Sequence, residues 1–408
     1  MKMGYLIGKY PALSHTFILQ EIQQLEKIGW AIKIASVNKP DRPFHELLPD
    51  EKRHANGTYY IKQDGIKGAF QTFIKCLFTN PKGFFYGLKA AIQLGGTHPG
   101  ELQKFLFYFI EALMVTLWMH KHHLRHLHVH FAGPTASIAL LCKKISGCLL
   151  SITVHGPDEL SDATRHRLRE KFDAADLIVC ITHYAKSRVL MHSNYKDWHK
   201  AKIIRVGLNC EPFQTLSLMR HSKRDSVTRL LSIGRLAPAK GQLILLNSLA
   251  ELIYRGYLVH LTLIGSGPLE NCLLDEAQKL GLGPEHLRMT GGLNQKEVKE
   301  YIKNTDLFVL SSFAEGLPVV LMEALLSGLP CITTSIAGIP ELIRHQKDGL
   351  LVPTGDIQAF ADAIQYAIDN PEELKQMTQS GMSRVLAMHN VAATVSDLSQ
   401  HFLGLQAS

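Results

Sequence analysis

The chain has 408 residues, 46% hydrophobic and 20% charged, with a mean hydropathy of +0.02. That length suits two domains of about 200 residues, and the composition excludes wholesale disorder, a fibrous repeat and a polytopic membrane protein. The net charge of +8 divides unevenly: residues 1–208 hold 28 Lys and Arg against 16 Asp and Glu, and the remainder holds 16 against 20. A basic half joined to an acidic half points to an anionic partner for the first: a membrane surface, a nucleic acid or a phosphorylated substrate. Seven cysteines without a C-x-x-C pair point to reduced thiols, hence a cytoplasmic chain. The apolar start before Lys9 is too short for a signal peptide.

The first half alternates strands with helices. Tyr5-Leu6-Ile7 reads as a strand, followed by a loop through Ser14-His15-Thr16. A helix from Phe17 places Ile18, Ile22, Leu25 and Ile28 on one face and ends at Gly29. Further strands are expected at 31–37, 128–131, 151–154, 177–181 and 202–206. The apolar block 105–119, interrupted by Glu111, falls short of the ~20 residues that span a bilayer and reads as a buried helix. The alternation breaks at a polar, basic stretch, so residues 209–226 read as a linker between domains at 1–208 and 227–385. A second series follows, with strands at 230–233, 259–264, 287–290, 307–310 and 331–334. Helices at 242–254, 269–280, 295–304 and 319–327 lie between them. A polar helical region from about 357 closes the chain, and its tail, 386–408, is expected to return to the first domain. Two doubly wound α/β sheets in tandem lead one to expect a ligand cleft between them.

Three segments carry candidate chemistry. In Ser311-Ser312-Phe313-Ala314-Glu315-Gly316-Leu317-Pro318-Val319, a strand runs through a glycine loop into a helix whose free amides suit a diphosphate. Glu323, inside that helix, can accept hydrogen bonds from vicinal hydroxyls, as a ribose presents, and Glu315 can do the same for a sugar ring. In Gly234-Arg235-Leu236-Ala237-Pro238-Ala239-Lys240-Gly241, two cations five residues apart follow a strand and suit a leaving diphosphate. They would do the electrostatic work of a metal ion, and the chain contains no Asp-x-Asp. In Thr153-Val154-His155-Gly156, a buried strand delivers an imidazole at its carboxyl end. Each segment taken alone is also compatible with a purely structural role.

The three together resemble the retaining nucleotide-sugar glycosyltransferases of the GT-B fold, family 4, over nearly the whole chain. The signatures are Gly316-Leu317-Pro318-Val319-Val320-Leu321-Met322-Glu323-Ala324-Leu325 and Ala337-Gly338-Ile339-Pro340-Glu341. Tyr10-Pro11-Ala12-Leu13-Ser14-His15-Thr16-Phe17, His128-Val129-His130-Phe131-Ala132 and Thr153-Val154-His155-Gly156 resemble the bacterial exopolysaccharide branch, which includes colanic-acid glycosyltransferases.

The resemblance implies two Rossmann-like domains facing a cleft, the first for the acceptor and the second for the donor. Arg235 and Lys240 match the pair that binds the donor diphosphate. Glu323 matches the glutamate on the ribose and Glu315 the one on the donor sugar. The amides of Gly316, Leu317, Pro318 and Val319 (proline contributing none) match the segment facing the phosphates, and His155 matches the histidine near the sugar. Gly8, Ser14, His15 and Thr16 match the loop beside the acceptor, with His15 where the branch usually has a glutamate. Gly234, Gly265 and Gly291 are expected to shape the donor pocket. No matched carboxylate is an obvious nucleophile, so the resemblance implies same-face attack, the donor phosphate taking the acceptor proton.

The expected activity is transfer of a hexose-type sugar from a UDP- or GDP-linked donor to a glycan, lipid-linked or small-molecule acceptor, without a metal. Six histidines between 120 and 130 suggest a metal site, but no cysteine or carboxylate stands at ligand spacing beside them. Residues 66–93, with Phe70, Phe73, Ile74, Leu77, Phe78, Phe84, Phe85 and interspersed lysines, suggest contact with an anionic membrane surface. That would make the protein peripheral at the inner face of the cytoplasmic membrane. Gly265-Ser266-Gly267 is too little for a dinucleotide oxidoreductase, and no nucleic-acid motif accompanies the basic half. The alternative is an idle nucleotide-sugar-binding or membrane-docking protein of the same fold. Oligomeric state is not legible.

Overall fold

The computed structural model describes residues 1–12, 15–219 and 226–407. The chain divides into two units: residues 1–207 with 391–408, and residues 208–390.

In the first unit seven parallel strands form one sheet: β1 (Lys2–Lys9), β2 (Ala31–Asn38), β3 (Tyr59–Tyr60), β4 (His126–His130), β5 (Leu149–Val154), β6 (Leu177–Cys180) and β7 (Ala201–Ile203). Their order is β3-β2-β1-β4-β5-β6-β7. The chain therefore builds outward from β1 in one direction, then returns to build from β4 in the other. The switch point between β1 and β4 is where open α/β sheets bind ligands, at the carboxyl ends of the strands. Parallel strands are covered on both faces, so they read as continuous apolar runs; Met3, Tyr5, Leu6 and Ile7 of β1 are all buried.

Helix Thr16–Lys27 lays Phe17, Ile18, Ile22 and Leu25 against the sheet. Helix Val391–Ala407 packs beside it, with Phe402 fully buried against Trp30 and the Trp30 indole donating to Ser399 Oγ at 2.8 Å. Helix Pro99–Lys121 is longer than the 105–119 expected, because the polar turn ahead of Phe105 is helical too. It is long and apolar enough to cross a membrane, yet Phe105, Phe109, Leu113, Val115 and Trp118 are buried in the core of this unit. Strand β7 ends at Ile203, short of the 202–206 expected.

The second unit has six parallel strands: β8 (Thr228–Ile233), β9 (Val259–Ile264), β10 (Leu287–Met289), β11 (Leu307–Leu310), β12 (Cys331–Thr334) and β13 (Leu350–Val352). Their order, β10-β9-β8-β11-β12-β13, repeats the scheme with its switch point between β8 and β11. Helices Gln242–Tyr254 and Ile357–Asp369 pack together over one face, burying Leu245, Leu249, Leu252, Phe360 and Ile364. Residues 209–226 are not simply a linker. Helix Glu211–Leu218 lies among them and packs on helices Gln295–Lys303 and Val319–Leu326 of this unit, burying Phe213 and Leu216. Residues 220–225 lie outside the described residues.

Candidate active site

In the second unit the expected donor residues gather at the carboxyl ends of β8 and β11. Gly234 follows β8 and its amide donates to Ile264 O at 2.9 Å. Gly265, at φ +145°, lies so close to Gly234 that a Cβ would sit 2.0 Å from the Gly234 carbonyl oxygen. The Gly265 amide in turn donates to Gly291 O at 2.9 Å, and Gly291 has φ +72°. Only glycine permits that stack of loop backbones. The three glycines thus act through their backbones.

Lys240 and Glu315 meet. The Lys240 ammonium donates to Glu315 Oε1 at 2.5 Å, and Ser312 Oγ donates to the same oxygen at 2.7 Å. Ser311 Oγ donates to Gly241 O at 2.8 Å, fastening the loop after β11 to the loop after β8. Gly241, at φ +61°, allows this approach, since a Cβ would meet Ser311 O at 2.3 Å. Arg235 takes no part in the Lys240–Glu315 pair; its side chain is exposed and its carbonyl accepts from Gln242 Nε2 at 3.0 Å. Leu317 and Pro318 are buried, and Pro318 precedes helix Val319–Leu326. Glu323 is only partly exposed on that helix. Desolvation pushes its carboxyl up to about 7, against a small opposing pull from Lys299. A carboxyl held in so little water is poised for ligand hydroxyls to replace the missing solvent.

In the first unit, His155 follows β5 and is buried. Its ring packs against Phe131, 4.5 Å between centroids, and Phe17, 5.0 Å. The His15 ring also packs against Phe131, at 5.1 Å between centroids. Burial lowers the His155 pKa well below the usual histidine value, and neighbouring His130 and His15 add to the effect. Gly8 falls inside β1 rather than in the loop expected after it, and Thr16 opens helix Thr16–Lys27. The Gly8 carbonyl accepts from Asn38 Nδ2 at 2.8 Å. Ser14 lies outside the described residues.

Several residues around His155 escaped the sequence reading. Glu159 accepts hydrogen bonds from the amides of Ala132, His155 and Gly156, so one carboxyl pins the loops after β4 and β5 together. Lys171, with its side chain buried, donates to Ala132 O at 2.5 Å and Gly133 O at 2.8 Å. Burial raises the Glu159 pKa and lowers that of Lys171. Phe131, at φ +69°, occupies a left-handed conformation costly for a side chain of its size, and this surrounding network holds it there. Glu159 has a local signal in the sequence: a glutamate three residues after Gly156, in the short helix Pro157–Leu160, has the spacing of a capping box.

The histidine run resolves into a stripe. His126, His128 and His130 alternate along β4 and so share one face. His126 and His128 each bond Ser151 Oγ at 2.7 Å, and His128 also bonds Thr153 Oγ1 at 3.1 Å. His130 bonds both His155 and Glu21. No carboxylate lies near these histidines along the sequence; the fold brings one, Glu21, from helix Thr16–Lys27. Glu21, His128 and His130 place potential ligand atoms within 4.8 Å of one another.

Residues 218–384 match the family model for glycosyl transferases group 1, and residues 78–211 match that for glycosyltransferase family 4. The chain is 28% identical over 375 residues to the amylovoran biosynthesis glycosyltransferase AmsK of Erwinia amylovora, covering 88% of this chain and 89% of that protein. It is 25% identical over 389 residues to the putative colanic acid biosynthesis glycosyltransferase WcaL of Escherichia coli, covering 89% and 90%. In structure it resembles HepE of Anabaena, solved in complex with UDP, with a TM-score of 0.74 over 99% of this chain and 100% of that one at 16% identity. Signatures, sheet order and these likenesses agree: the chain joins a family 4 glycosyltransferase domain to a group 1 glycosyl transferase domain, as two Rossmann-like domains of the GT-B fold.

Proposed function

We propose that this protein transfers a hexose-type sugar, with retention and without a metal ion, from a UDP- or GDP-linked donor to a glycan, lipid-linked or small-molecule acceptor in polysaccharide synthesis. The observation that carries this reading is the Lys240–Glu315–Ser312 cluster at the switch point of the second sheet, in a chain of this family. Departure of a nucleoside diphosphate leaves negative charge that fixed cations and amides must stabilise. In this reading Lys240 leaves Glu315 for the diphosphate, joined by Arg235 and the amides of Gly316, Leu317 and Val319. Glu315 is then free for a hydroxyl of the donor sugar, Glu323 takes the ribose hydroxyls, and His155 takes a hydroxyl near the reacting carbon. His15 and Thr16 border the acceptor. The relatives support either base: one is a GDP-mannose-dependent mannosyltransferase of Mycobacterium tuberculosis, another a UDP-Gal-dependent galactosyltransferase of Escherichia coli.

The lipid-linked option draws support from helices Gly65–Thr79 and Pro81–Gly95, where Ile66, Phe70, Phe78, Phe85, Tyr86 and Ile92 are exposed among exposed Lys67, Lys75, Lys82 and Lys89. Apolar side chains interleaved with lysines suit the surface of an anionic leaflet. We place the protein there, at the cytoplasmic face.

The test is a panel of UDP- and GDP-sugars with NMR detection of binding and slow hydrolysis, alongside Glu323→Ala. One donor bound and cleaved by the wild type, with binding weakened by roughly tenfold or more in the variant, is the expected result. Binding without cleavage, even with acceptor lipids and glycans supplied, would favour an idle donor-binding protein. No binding by any donor would sink the reading.

A further inference from the structure

Behind His155 runs a hydrogen-bond chain that crosses three elements of the first unit. His155 Nε2 lies 2.9 Å from His130 Nδ1, His130 Nε2 lies 3.1 Å from Glu21 Oε1, and the Tyr5 hydroxyl donates to the same Glu21 oxygen at 2.8 Å. Tyr5 and His130 are buried, and Glu21 is partly so. The family resemblance assigns a role to none of the three, although His130 lies in one of the segments that carry it.

The proton positions follow from which atoms can donate. Burial raises the Tyr5 pKa, with Glu21 adding to the effect, so the phenol keeps its proton and donates a hydrogen bond to Glu21. A carboxylate oxygen only accepts, so His130 must turn its N–H, at Nε2, towards it; a ring lone pair facing that oxygen would be repelled. With its one N–H at Nε2, His130 has a lone pair at Nδ1. His155, kept neutral by burial, has one N–H and must place it at Nε2 to complete the chain. The nitrogen left over, His155 Nδ1, is an acceptor. Ring rotation offers no escape, because Phe17 and Phe131 pack against the imidazole while Glu159 holds the His155 amide.

We propose that Glu21 and His130 are positioning residues that hold His155 as its Nε2–H tautomer, so that Nδ1 presents a lone pair to a substrate hydroxyl. The choice of tautomer decides what His155 can do: an acceptor draws a hydroxyl proton towards itself, whereas a donor would face a phosphate or ring oxygen. Glu21 acts here as an oriented acceptor, not as a charge. Its amide counterpart should therefore serve nearly as well, since a Gln carbonyl oxygen also accepts from Tyr5 and His130. The inference rests on the reading of His155 as a donor-facing residue, but its first test does not.

That test is NMR of the full chain labelled with nitrogen-15 histidine, without ligand, using long-range correlations that report the imidazole tautomer. His155→Ala identifies the His155 signals. The wild type should show Nε2–H at His155, Glu21→Gln the same, and Glu21→Ala a mixture of both tautomers. Donor turnover should follow: Glu21→Ala loses about 10- to 100-fold in kcat while donor Kd stays within about threefold, and Glu21→Gln stays close to wild type. Finding Nδ1–H in the wild type would overturn the proposal whatever the variants do. A loss in Glu21→Gln equal to that in Glu21→Ala would overturn it too, by showing that charge matters rather than orientation. Turnover unaffected by His155→Ala would instead remove the functional reading of His155 and leave the tautomer assignment to stand on the spectra.

Discussion

At the scale of single residues, Glu323 shows how a binding role can oppose stability. Its folded pKa of about 7 lies above the usual carboxylate value of 4.5, because burial disfavours the ion. A group with a raised folded pKa favours the fold most at pH below its unfolded value, and that advantage is lost as pH rises through the folded value. The ligand-free protein should therefore lose stability between about pH 4.5 and 7 through this group, by of order 1–3 kcal/mol. Glu323→Gln removes the titration. It should raise the melting temperature above pH 7, leave it nearly unchanged near pH 4.5, and weaken donor binding. Thermal scans of both proteins across that range check the sign; a variant less stable than wild type at high pH would contradict it.

The same scale shows where sequence reading reached and where it stopped. Arg235, Lys240, Glu315 and His155 stand at strand ends because a glycine or a polar residue breaks an apolar run there, and that break is visible in one dimension. Glu21 and Lys171 were not legible as site residues, and Glu159 was legible only as a helix-start signal, not as the partner of the loop after β4. Each lies on a helix with polar neighbours, and only folding brings it against a loop from a distant strand. The histidine stripe is intermediate: its alternation on β4 is local, but its carboxylate partner arrives from more than a hundred residues away.

At the scale of elements, the two helices 65–79 and 81–95 divide their apolar residues between two tasks. Phe84, Ala91 and Leu94 are buried, and Phe84 stacks edge-on against Phe109 at 5.3 Å. Phe70 and Phe78, 65% and 78% exposed, add little to that core. The periodicity in the sequence could not separate the two sets, because both satisfy helical spacing. A Phe70→Asp, Phe78→Asp double variant should therefore melt within about 1 kcal/mol of wild type, as exposed substitutions do. Its binding to vesicles containing phosphatidylglycerol should fall by tenfold or more, given about 25 cal/mol for each Å² of apolar surface withdrawn and the repulsion of two new carboxylates by the anionic lipid. Vesicle sedimentation at low and moderate salt measures this. Unchanged binding would remove these helices from the membrane reading.

Across the whole molecule, helix Val391–Ala407 belongs to the first unit although the second unit lies between it and that unit in the sequence. Phe402 fills the space between Trp30, His126 and His128, with centroid distances of 5.1–5.8 Å. Phe402→Ala should destabilise the first unit by about 3–5 kcal/mol, the usual cost of a large cavity in a core. Trp30 reports on that unit, so its fluorescence should follow an earlier transition in denaturant. Coincident and unshifted transitions would mean that the helix contributes little to holding the unit together.

The sequence by itself determined the repeated strand–helix alternation, and with it two doubly wound parallel sheets. It also placed the donor residues at strand ends, since hydrophobic period, glycine position and helix-starting proline are all local signals. Only the tertiary structure decided that Lys240 would pair with Glu315, that Glu21 would stand behind His130 and His155, and that Phe402 of the last helix would pack on Trp30, His126 and His128. Those outcomes depend on which side chains meet after distant segments pack, and that meeting sets their hydrogen bonding. No spacing along the chain encodes that meeting.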